Sequence, residues 1–332
     1  MKVGIVGCGL IGNKRAAVLA GGELVAVADL DKHKAEALVA LYPGARVFQQ
    51  GLELVTQPEL DAVIIATTHD QLGSLAMAAL QAGKHVLVEK PAARTADEFR
   101  PVVLEAEKRG LRLKVGYNHR FHPALLEAKR LISAPDAGEL MYLRARYGHG
   151  GRVGYDKEWR ADKAISGGGE LIDQGLHLID LARLFMGDVV DASGYLPTLY
   201  WDMQVEDNAF MLLKHVGGKP SWLHATWTEW KNTFSLEVQT KRLKLQVDGL
   251  GGSYGPETLT IYTMKPEMGP PDVEKLEFIG PDQSWSLEWK EFCAAIQEGR
   301  EPKASGRDGL AALEVAASLY AQAGRKDEKG IR

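Results

Sequence analysis

Near its start the chain reads Lys2-Val3-Gly4-Ile5-Val6-Gly7-Cys8-Gly9-Leu10-Ile11-Gly12. A short apolar strand leads directly into the pattern Gly-x-Gly-x-x-Gly, and a helix-like stretch follows it. In this setting the glycines permit a tight turn, a close approach of the backbone to a pyrophosphate, and close packing of helix on strand. The sequence therefore predicts a dinucleotide-binding turn, with cofactor contacts at Gly7, Gly9, Leu10, Ile11 and Gly12.

An acidic residue, Asp29, ends the second predicted strand, residues 24–28. At this place a carboxylate accepts hydrogen bonds from the ribose hydroxyls of a dinucleotide. Its negative charge repels the 2′-phosphate of NADP, so the predicted cofactor is NAD and NADP is disfavoured. Lys32 and Lys34 lie close by in sequence and weaken this preference.

Strand-like and helix-like segments alternate through the first third of the chain. Strands are predicted at 61–66, 85–88 and 111–115, and helices at 72–82 and 95–109. This alternation is typical of a parallel, doubly wound sheet. We therefore predict a dinucleotide-binding Rossmann domain over residues 1–118.

The pattern changes after Asn118. A predicted helix at 121–132 is followed by strand-like stretches joined by turns, which indicate a largely antiparallel sheet. These stretches are 140–147, 207–214, 221–229, 233–240, 243–247 and 259–264, and they are followed by predicted helices at 285–297 and 308–323. The second predicted domain, residues 119–332, thus combines helices with a large, mostly antiparallel sheet.

The bulk composition restricts the class of protein. With 332 residues, 45% hydrophobic and 25% charged residues and a net charge of −4, the chain has the profile of a two-domain globular protein. It lacks the basic tracts of a nucleic-acid binder and any apolar run near the ~20 residues that span a bilayer. Two distant cysteines and the lack of a signal-peptide pattern at the start predict a cytoplasmic protein.

A second glycine run, residues 167–169, precedes Glu-Leu-Ile-Asp-Gln-Gly-Leu-His-Leu-Ile-Asp at 170–180. The apolar spacing predicts a helix, on which Asp173 and His177, four residues apart, project from one face. A carboxylate and an imidazole beside a glycine turn suit proton transfer to or from a small bound molecule. Asp180, one turn further on, is expected to anchor the helix.

A lysine stands directly after the predicted strand 85–88, in the sequence Glu89-Lys90-Pro91. The carboxyl ends of strands border the ligand crevice in a doubly wound sheet, and the proline restricts the backbone of Lys90. Position alone leaves two interpretations open: a lysine that faces the nicotinamide, and a solvated lysine at a strand end.

Together these segments resemble the Gfo/Idh/MocA family of NAD(P)-dependent oxidoreductases acting on sugars and cyclitols. The residues that carry the resemblance are Gly7 to Gly12, Ala79 to Pro91, Gly116 to Phe121 and Gly167 to Asp180. The resemblance implies catalytic roles for Lys90, Asp173 and His177. It also implies oligomer contacts through the open sheet of the second domain, so we expect a homodimer or a homotetramer.

The same resemblance implies further site residues. Asn118 and Arg120 lie in a segment that borders the substrate site in relatives, and Glu89 and Lys90 are included among the cofactor contacts. Lys90, Asp173 and His177 are also expected to contact the substrate. The loop Thr67-Thr68-His69 nears the nicotinamide ribose. Many relatives carry a Thr-Pro pair there, and this departure leaves the contacts of the loop open.

The segment 144–163 bears on the substrate. It holds six cations together with the aromatic residues Tyr155 and Trp159. Aromatic faces stack on sugar rings, and guanidinium groups such as that of Arg160 suit phosphate or carboxylate. The segment favours a phosphorylated, nucleotide-linked or acidic sugar, with Tyr155, Trp159 and Arg160 as substrate contacts; a charged surface loop explains it equally well.

The resemblance implies hydride transfer between NAD and a secondary hydroxyl or ketone of a sugar or cyclitol. Two alternatives remain open: glycoside hydrolysis by transient oxidation and elimination, and a non-catalytic, cofactor-sensing regulator. The histidines show no close-set ligand spacing, so we predict no metal. No nucleic-acid or membrane partner is expected.

Overall fold

Six strands form a parallel sheet in the first part of the chain. They are β1 (Lys2–Val6), β2 (Glu23–Ala28), β3 (Arg46–Phe48), β4 (Ala62–Ile65), β5 (His85–Glu89) and β6 (Leu113–Gly116). Their order across the sheet is β3-β2-β1-β4-β5-β6, as in dinucleotide-binding doubly wound sheets. The central strand β4 is buried throughout because it is apolar on both faces. The predicted doubly wound sheet is confirmed.

Helices connect these strands: α1 (Leu10–Ala16), α2 (Lys32–Val39), α3 (Gly51–Val55), α4 (His69–Gln81) and α5 (Ala96–Arg109). Capping residues define both ends of α5. The Thr95 hydroxyl accepts a hydrogen bond from the Glu98 N–H at 3.2 Å, and Gly110 ends the helix with a φ of 66°.

Eight strands form the second sheet. They are β7 (Leu140–Gly148), β8 (Val189–Tyr195), β9 (Asn208–His215), β10 (Pro220–Thr226), β11 (Thr233–Thr240), β12 (Leu243–Asp248), β13 (Glu257–Thr263) and β14 (Asp272–Phe278). Their order is β14-β13-β12-β11-β7-β10-β9-β8. All neighbouring pairs are antiparallel except β7 and β10, so the predicted, mostly antiparallel sheet is confirmed.

Two helices pack on this second sheet. They are α6 (Pro123–Ile132), which contacts β12 and β13, and α8 (Leu176–Met186), which contacts β7 and β10. A short helix, α7 (Lys163–Ser166), precedes the glycine run. A π-helical turn over Leu171–Gly175 leads into α8, where the sequence predicts an ordinary α-helix.

The final helices are α9 (Ser284–Gln297) and α10 (Gly306–Glu328). The computed structural model describes residues 1–328, and side chains up to residue 324. Within that part of the chain, no helix combines the length and the apolar character needed to cross a membrane.

The chain folds into two compact units. The first unit comprises Met1–Asn118, Ala164–Gly167 and Trp285–Leu313; the second comprises His119–Lys163, Gly168–Ser284 and the residues from Glu314 onward. The sequence alone assigns everything after residue 118 to the second domain. Residues 285–313 differ from this prediction because Trp289 and Phe292 are buried in the core of the first sheet. Residues 329–332 of the predicted second domain lie outside the described chain.

Candidate active site

The glycine turn after β1 has the three properties that a dinucleotide requires. Gly7 has a φ of 94°, and a Cβ there would lie 2.4 Å from the Ala66 carbonyl oxygen. A Cβ on Gly12 would lie 1.9 Å from the Gly7 carbonyl oxygen. By contrast, a Cβ on Gly9 would meet no described protein atom within 4 Å. Packing thus requires the outer two glycines, while Gly9 leaves open space for a phosphate.

Asp29, at the end of β2, binds the backbone of this turn. Its Oδ2 accepts a hydrogen bond from the Cys8 N–H at 2.7 Å, and its Oδ1 accepts one from the Asp31 N–H at 2.8 Å. A carboxylate has about four acceptor positions, so both oxygens retain capacity for ribose hydroxyls. Leu10, next to the turn, is 74% exposed. These residues therefore fit the adenosine half of a dinucleotide.

Cys8 in the middle of the turn is buried and is not a nucleophile. Burial, followed by the neighbouring Asp29 carboxylate, raises the pKa of the Cys8 thiol to about 12. Its Sγ donates to the Ala28 carbonyl oxygen at 3.6 Å. The thiol is therefore protonated at neutral pH and acts as a small packing group.

The loop after β4 adjoins the glycine turn. The Thr67 nitrogen lies 3.0 Å from the position that a Gly7 Cβ would occupy. Thr68 precedes α4, and its hydroxyl donates to Asp70 Oδ1 at 2.6 Å. His69 is buried, with Nδ1 2.8 Å from the Ser166 carbonyl oxygen. The loop thus lies where the sequence predicts cofactor contacts, and the hydroxyl of Thr68 and the imidazole of His69 both have bonds within the protein.

Lys90 directly follows β5, and its peptide bond to Pro91 is cis. Because the carboxyl ends of parallel strands share one edge of the sheet, Lys90 lies at the same edge as the glycine turn and Asp29. The structure therefore places the predicted lysine on the cofactor side of the first sheet.

Glu89 faces the interior instead. Its Oε1 accepts a hydrogen bond from Arg15 Nε at 2.6 Å, and Arg15 also donates to Glu288 Oε2 at 2.5 Å. Burial raises the pKa of Glu89, and the Arg15 guanidinium opposes this effect. The predicted cofactor contact at Glu89 is thus an internal ion pair in the structure, because a completely buried arginine requires carboxylate partners.

In the second unit, Asp173 lies in the π-helical turn and His177 in the first turn of α8. Their side chains are buried, with 8% and 5% of the residue surface exposed. The hydrogen bonds of a π-turn span one residue more than those of an α-helix, so spacing on an ordinary helix does not describe this pair. Such turns occur frequently at functional sites.

An aromatic and imidazole cluster surrounds His177. The His119 ring stacks on it with centroids 3.9 Å apart, and the Tyr147 ring lies edge-on at 6.2 Å. Tyr147 pairs through its hydroxyl with Tyr254, which accepts a hydrogen bond from Gln174 Nε2 at 3.2 Å. We call His119, Tyr147, Asp173, Gln174, His177 and Tyr254 the polar cluster.

The two phenols of the polar cluster are neutral. Burial, followed by the adjacent Tyr254 hydroxyl, raises the pKa of Tyr147, and burial likewise raises the pKa of Tyr254. Sequence reasoning misses both tyrosines, His119 and Gln174. Adjacency is the available signal for two of them: Gln174 directly follows Asp173, and His119 lies between Asn118 and Arg120. Tyr147 and Tyr254 come from separate strands and turns that only the fold brings together.

Arg160 reaches Asp173, and the distance from its Nε to Asp173 Oδ2 is 3.3 Å. Its guanidinium stacks on the Trp159 ring at 4.4 Å from the centroid. The Asp173 carboxylate raises the pKa of Arg160, against the opposing effect of burial. The structure therefore brings together Trp159, Arg160 and Asp173, three of the residues predicted to contact the substrate.

Three other residues that were predicted to contact the substrate, Tyr155, Arg120 and Asn118, are buried in the protein. Tyr155 is buried against Val205 and Trp227, and its ring is perpendicular to Trp227 at 5.1 Å. Arg120 binds Asp180 through two hydrogen bonds of 2.7 and 2.5 Å, and both side chains are buried. A bidentate pair of this kind anchors α8 to the segment after β6, which is the role expected of Asp180. Asn118, also buried, starts the 3-10 turn Asn118–Phe121.

The remaining cations of segment 144–163 include two with acidic neighbours. Arg144 pairs with Glu237 across two strands of the second sheet, and Arg152 pairs with Glu158 at 2.7 Å. Together with the Arg160–Asp173 pair, these contacts neutralise much of the positive charge that suggested an anionic substrate.

Comparisons with known proteins agree with this architecture. Residues 1–117 match the model of an oxidoreductase family with an NAD-binding Rossmann fold, and residues 125–254 match the GFO/IDH/MocA C-terminal domain. The fold and the glycine turn define an NAD-binding α/β oxidoreductase. The chain belongs to the Gfo/Idh/MocA family.

Relatives include several dehydrogenases. Inositol 2-dehydrogenase 2 of Saccharopolyspora erythraea is 34% identical over 204 residues, which are 59% of this chain and 57% of that protein. Inositol 2-dehydrogenase of Rhizobium meliloti is 25% identical over 100% of this chain and 99% of its own length. A structure of levoglucosan dehydrogenase in complex with NADH has a TM-score of 0.90 at 20% identity, covering 98% of this chain and 97% of that one.

Proposed function

We propose that the protein transfers a hydride between NAD and a secondary hydroxyl or ketone of a neutral sugar or cyclitol. The observation that carries this proposal is the polar cluster, in which a buried histidine and a buried carboxylate stand beside two neutral phenols and an amide. Such a set of donors and acceptors suits a molecule with several adjacent hydroxyl groups. The relatives of this chain include two inositol dehydrogenases.

In the oxidative direction, His177 takes the proton of the reacting hydroxyl. An imidazole can accept a proton in this direction and return it in the reverse. Asp173, held by Arg160, accepts a hydrogen bond from a neighbouring hydroxyl. Lys90 stabilises the developing alkoxide with its positive charge. NAD, when bound, supplies the hydride acceptor.

Charge supports a neutral substrate over the anionic sugar that the sequence favours. A phosphate or carboxylate requires guanidinium or ammonium groups with donors to spare. Here a carboxylate offsets the charge of three of these cations: Asp173 faces Arg160, Glu158 pairs with Arg152, and Glu237 pairs with Arg144 on the second sheet. After burial and the Tyr254 hydroxyl, the carboxylates of Asp173 and Glu170 also raise the pKa of Tyr147, so two acidic side chains lie in or beside the polar cluster.

Asp29 supports NAD as the preferred cofactor. Its carboxylate lies at the end of β2, next to the glycine turn, where a 2′-phosphate would add a second negative charge. We propose a cytoplasmic location, in keeping with two free cysteines and the requirement for a cellular dinucleotide.

The outer face of the second sheet supports self-association. Phe210 and His224 stack on this face with centroids 4.1 Å apart, and they are neighbours of Leu212 and Trp222 on the same two strands. Leu212 and Trp222 are 51% and 49% exposed. Because exposed apolar patches on a sheet mark association surfaces, we propose a homodimer or homotetramer formed through this face.

The test is the absorbance of reduced nicotinamide after mixing protein and NAD with inositols, aldoses, sugar phosphates and UDP-sugars. We expect reduction of NAD with an inositol or a free aldose and little with the phosphorylated or nucleotide-linked compounds. Reduction of NAD with sugar phosphates alone would contradict the neutral substrate. Cleavage of a glycoside without accumulation of NADH would indicate hydrolysis by transient oxidation, and NAD binding without any turnover would indicate a regulator.

A further inference from the structure

Glu206 lies far in sequence from the Asp173 and His177 segment, yet it contacts the backbone where that segment begins. Its Oε1 accepts hydrogen bonds from the Gly169 N–H at 3.0 Å and the Leu171 N–H at 3.1 Å. Its own carbonyl oxygen accepts the intervening Glu170 N–H at 2.9 Å. Glu206 therefore accepts hydrogen bonds from three consecutive backbone N–H groups.

These N–H groups belong to the start of a helical segment. The first turn of any helix leaves N–H groups without partners inside the helix, and a local side chain usually accepts them. Here the preceding residues are glycines, and within the described chain the Glu170 side chain forms no cap. Glu206 performs this capping from 37 residues away in sequence.

The packing around the turn is too close for any side chain on Gly168 or Gly169. A Cβ on Gly169 would lie 2.0 Å from the Glu206 carbonyl oxygen, and one on Gly168 would lie 2.0 Å from Tyr320 Oη. Tyr320, on α10, donates its hydroxyl to the same Glu206 Oε1 at 2.7 Å. The glycine run is thus explained by a contact with Glu206 and Tyr320, in addition to any ligand.

The Glu206 side chain is buried together with its donors. Burial raises its pKa, while the Tyr320 hydroxyl and the two N–H groups oppose that effect by binding the carboxylate. A buried carboxylate oxygen with three donors has little freedom to move, so the backbone of residues 169–171 is held in one position.

We propose that Glu206 is a positioning residue, whose carboxylate holds the glycine turn so that Asp173 and His177 are presented in a reactive geometry. This inference rests on the proposed function in so far as it assigns the reaction to Asp173 and His177. Displacement of reacting groups by about 1 Å can reduce turnover by about 100-fold, so such a support has a measurable effect on catalysis.

The experiment compares Glu206→Gln, which keeps an acceptor oxygen, with Glu206→Leu, which has a similar volume and no acceptor. We expect Glu206→Leu to lower kcat at least tenfold, with a smaller change in KM and with the dissociation constant of NAD within twofold of wild type. In Glu206→Gln, kcat should stay within about fivefold of the wild-type value. A Glu206→Leu protein with kcat within twofold of wild type would overturn the proposal.

Hydrogen–deuterium exchange of the peptide 168–175 is the second readout, and it requires no substrate. Exchange should accelerate in Glu206→Leu and stay close to wild type in Glu206→Gln. Asp207→Asn is the matched control, because the Asp207 carboxylate accepts N–H groups of the separate loop Leu199–Trp201. Unchanged exchange in Glu206→Leu would overturn the proposal even if no substrate had been found.

Tyr320→Phe covers the case in which Glu206→Leu does not fold. It removes one donor to the carboxylate and should lower kcat about two- to fivefold with faster exchange of the same peptide. Wild-type kcat and exchange in this variant would contradict the inference. If His177→Ala kept full activity while exchange in the Glu206 variants changed as expected, the catalytic assignment would fail and the positioning of the turn would stand.

Discussion

At the scale of single residues, the proposed chemistry rests on side chains that are polar and yet buried. Asp173 has Arg160 as its charged neighbour, and His177 lies face to face with His119. A buried imidazole in contact with a second imidazole and an aromatic edge has restricted rotation. In the proposed mechanism, this restriction would hold the His177 ring in one orientation for proton transfer.

Replacement of His177 or Lys90 by alanine should reduce turnover about 100- to 10,000-fold, the range of acid–base and oxyanion contributions. Both variants should still bind NAD, because neither change alters the glycine turn or Asp29. Steady-state kinetics and titration of NAD measure the two quantities. His33→Ala is the control, since the His33 side chain is 95% exposed. Near-normal turnover in either test variant would disprove its assigned role.

Asp29→Asn tests the preference for NAD. The amide keeps an acceptor oxygen for the Cys8 N–H but removes the charge that repels a 2′-phosphate. We expect the ratio of kcat/KM for NAD over NADP to fall at least tenfold. A ratio unchanged by the substitution would show that another group discriminates between the cofactors.

At the scale of elements, the Arg120–Asp180 pair attaches α8 to the segment after β6. Its side chains are 9% and 1% exposed. Removing one partner takes away the bidentate compensation of a buried charge, so Arg120→Met and Asp180→Asn should each lower the free energy of unfolding by about 3–5 kcal/mol. Denaturant titration measures this change. The double variant Arg120→Met/Asp180→Leu should recover part of the loss, and equal stability of the single variants and wild type would be inconsistent with an anchoring role.

The sequence predicts most elements and fails where geometry departs from regular periodicity. The strands β1, β4 and β5 can be recognised from sequence because they are short apolar runs. The glycine turn can be recognised because its glycines follow the spacing of a dinucleotide-binding turn. The π-turn before α8 cannot be read from spacing, because its apolar residues also fit an α-helix. The edge strands β3, β8 and β14 are not predicted. In β14, which is largely exposed, the apolar residues Val273, Leu276 and Phe278 do not alternate regularly. Glu206 illustrates the remaining limit, since its contacts join residues far apart in sequence.

At the scale of the whole molecule, His224 makes stability dependent on pH. Burial, followed by the nearby Arg146 guanidinium, lowers the pKa of His224 to about 4. The unfolded chain binds this proton near pH 6.5, so the free energy of unfolding falls as the pH decreases from about 6.5 towards 4. Denaturant titrations at pH 7 and pH 5 should show that the free energy of unfolding falls less between these pH values in His224→Gln than in wild type. An equal loss in both proteins would contradict this contribution.

Self-association through the second sheet is tested by Leu212→Glu. A charge on this half-exposed position of β9 should prevent burial of the outer face, and light scattering should show a lower molar mass than for wild type. Leu52→Glu is the control, because Leu52 is 59% exposed and lies in α3 of the first unit. A wild-type mass for Leu212→Glu would place the interface elsewhere.

The central claim is direct hydride transfer to NAD. It is tested most directly by following deuterium from a labelled substrate into NADH. A cyclitol or sugar that is active in the panel is prepared with deuterium at the carbon to be oxidised and mixed with NAD and the protein. We predict that deuterium appears in NADH that accumulates in solution, and that His177→Ala forms this product at least about 100 times more slowly. Formation of product without deuterated NADH would contradict the account.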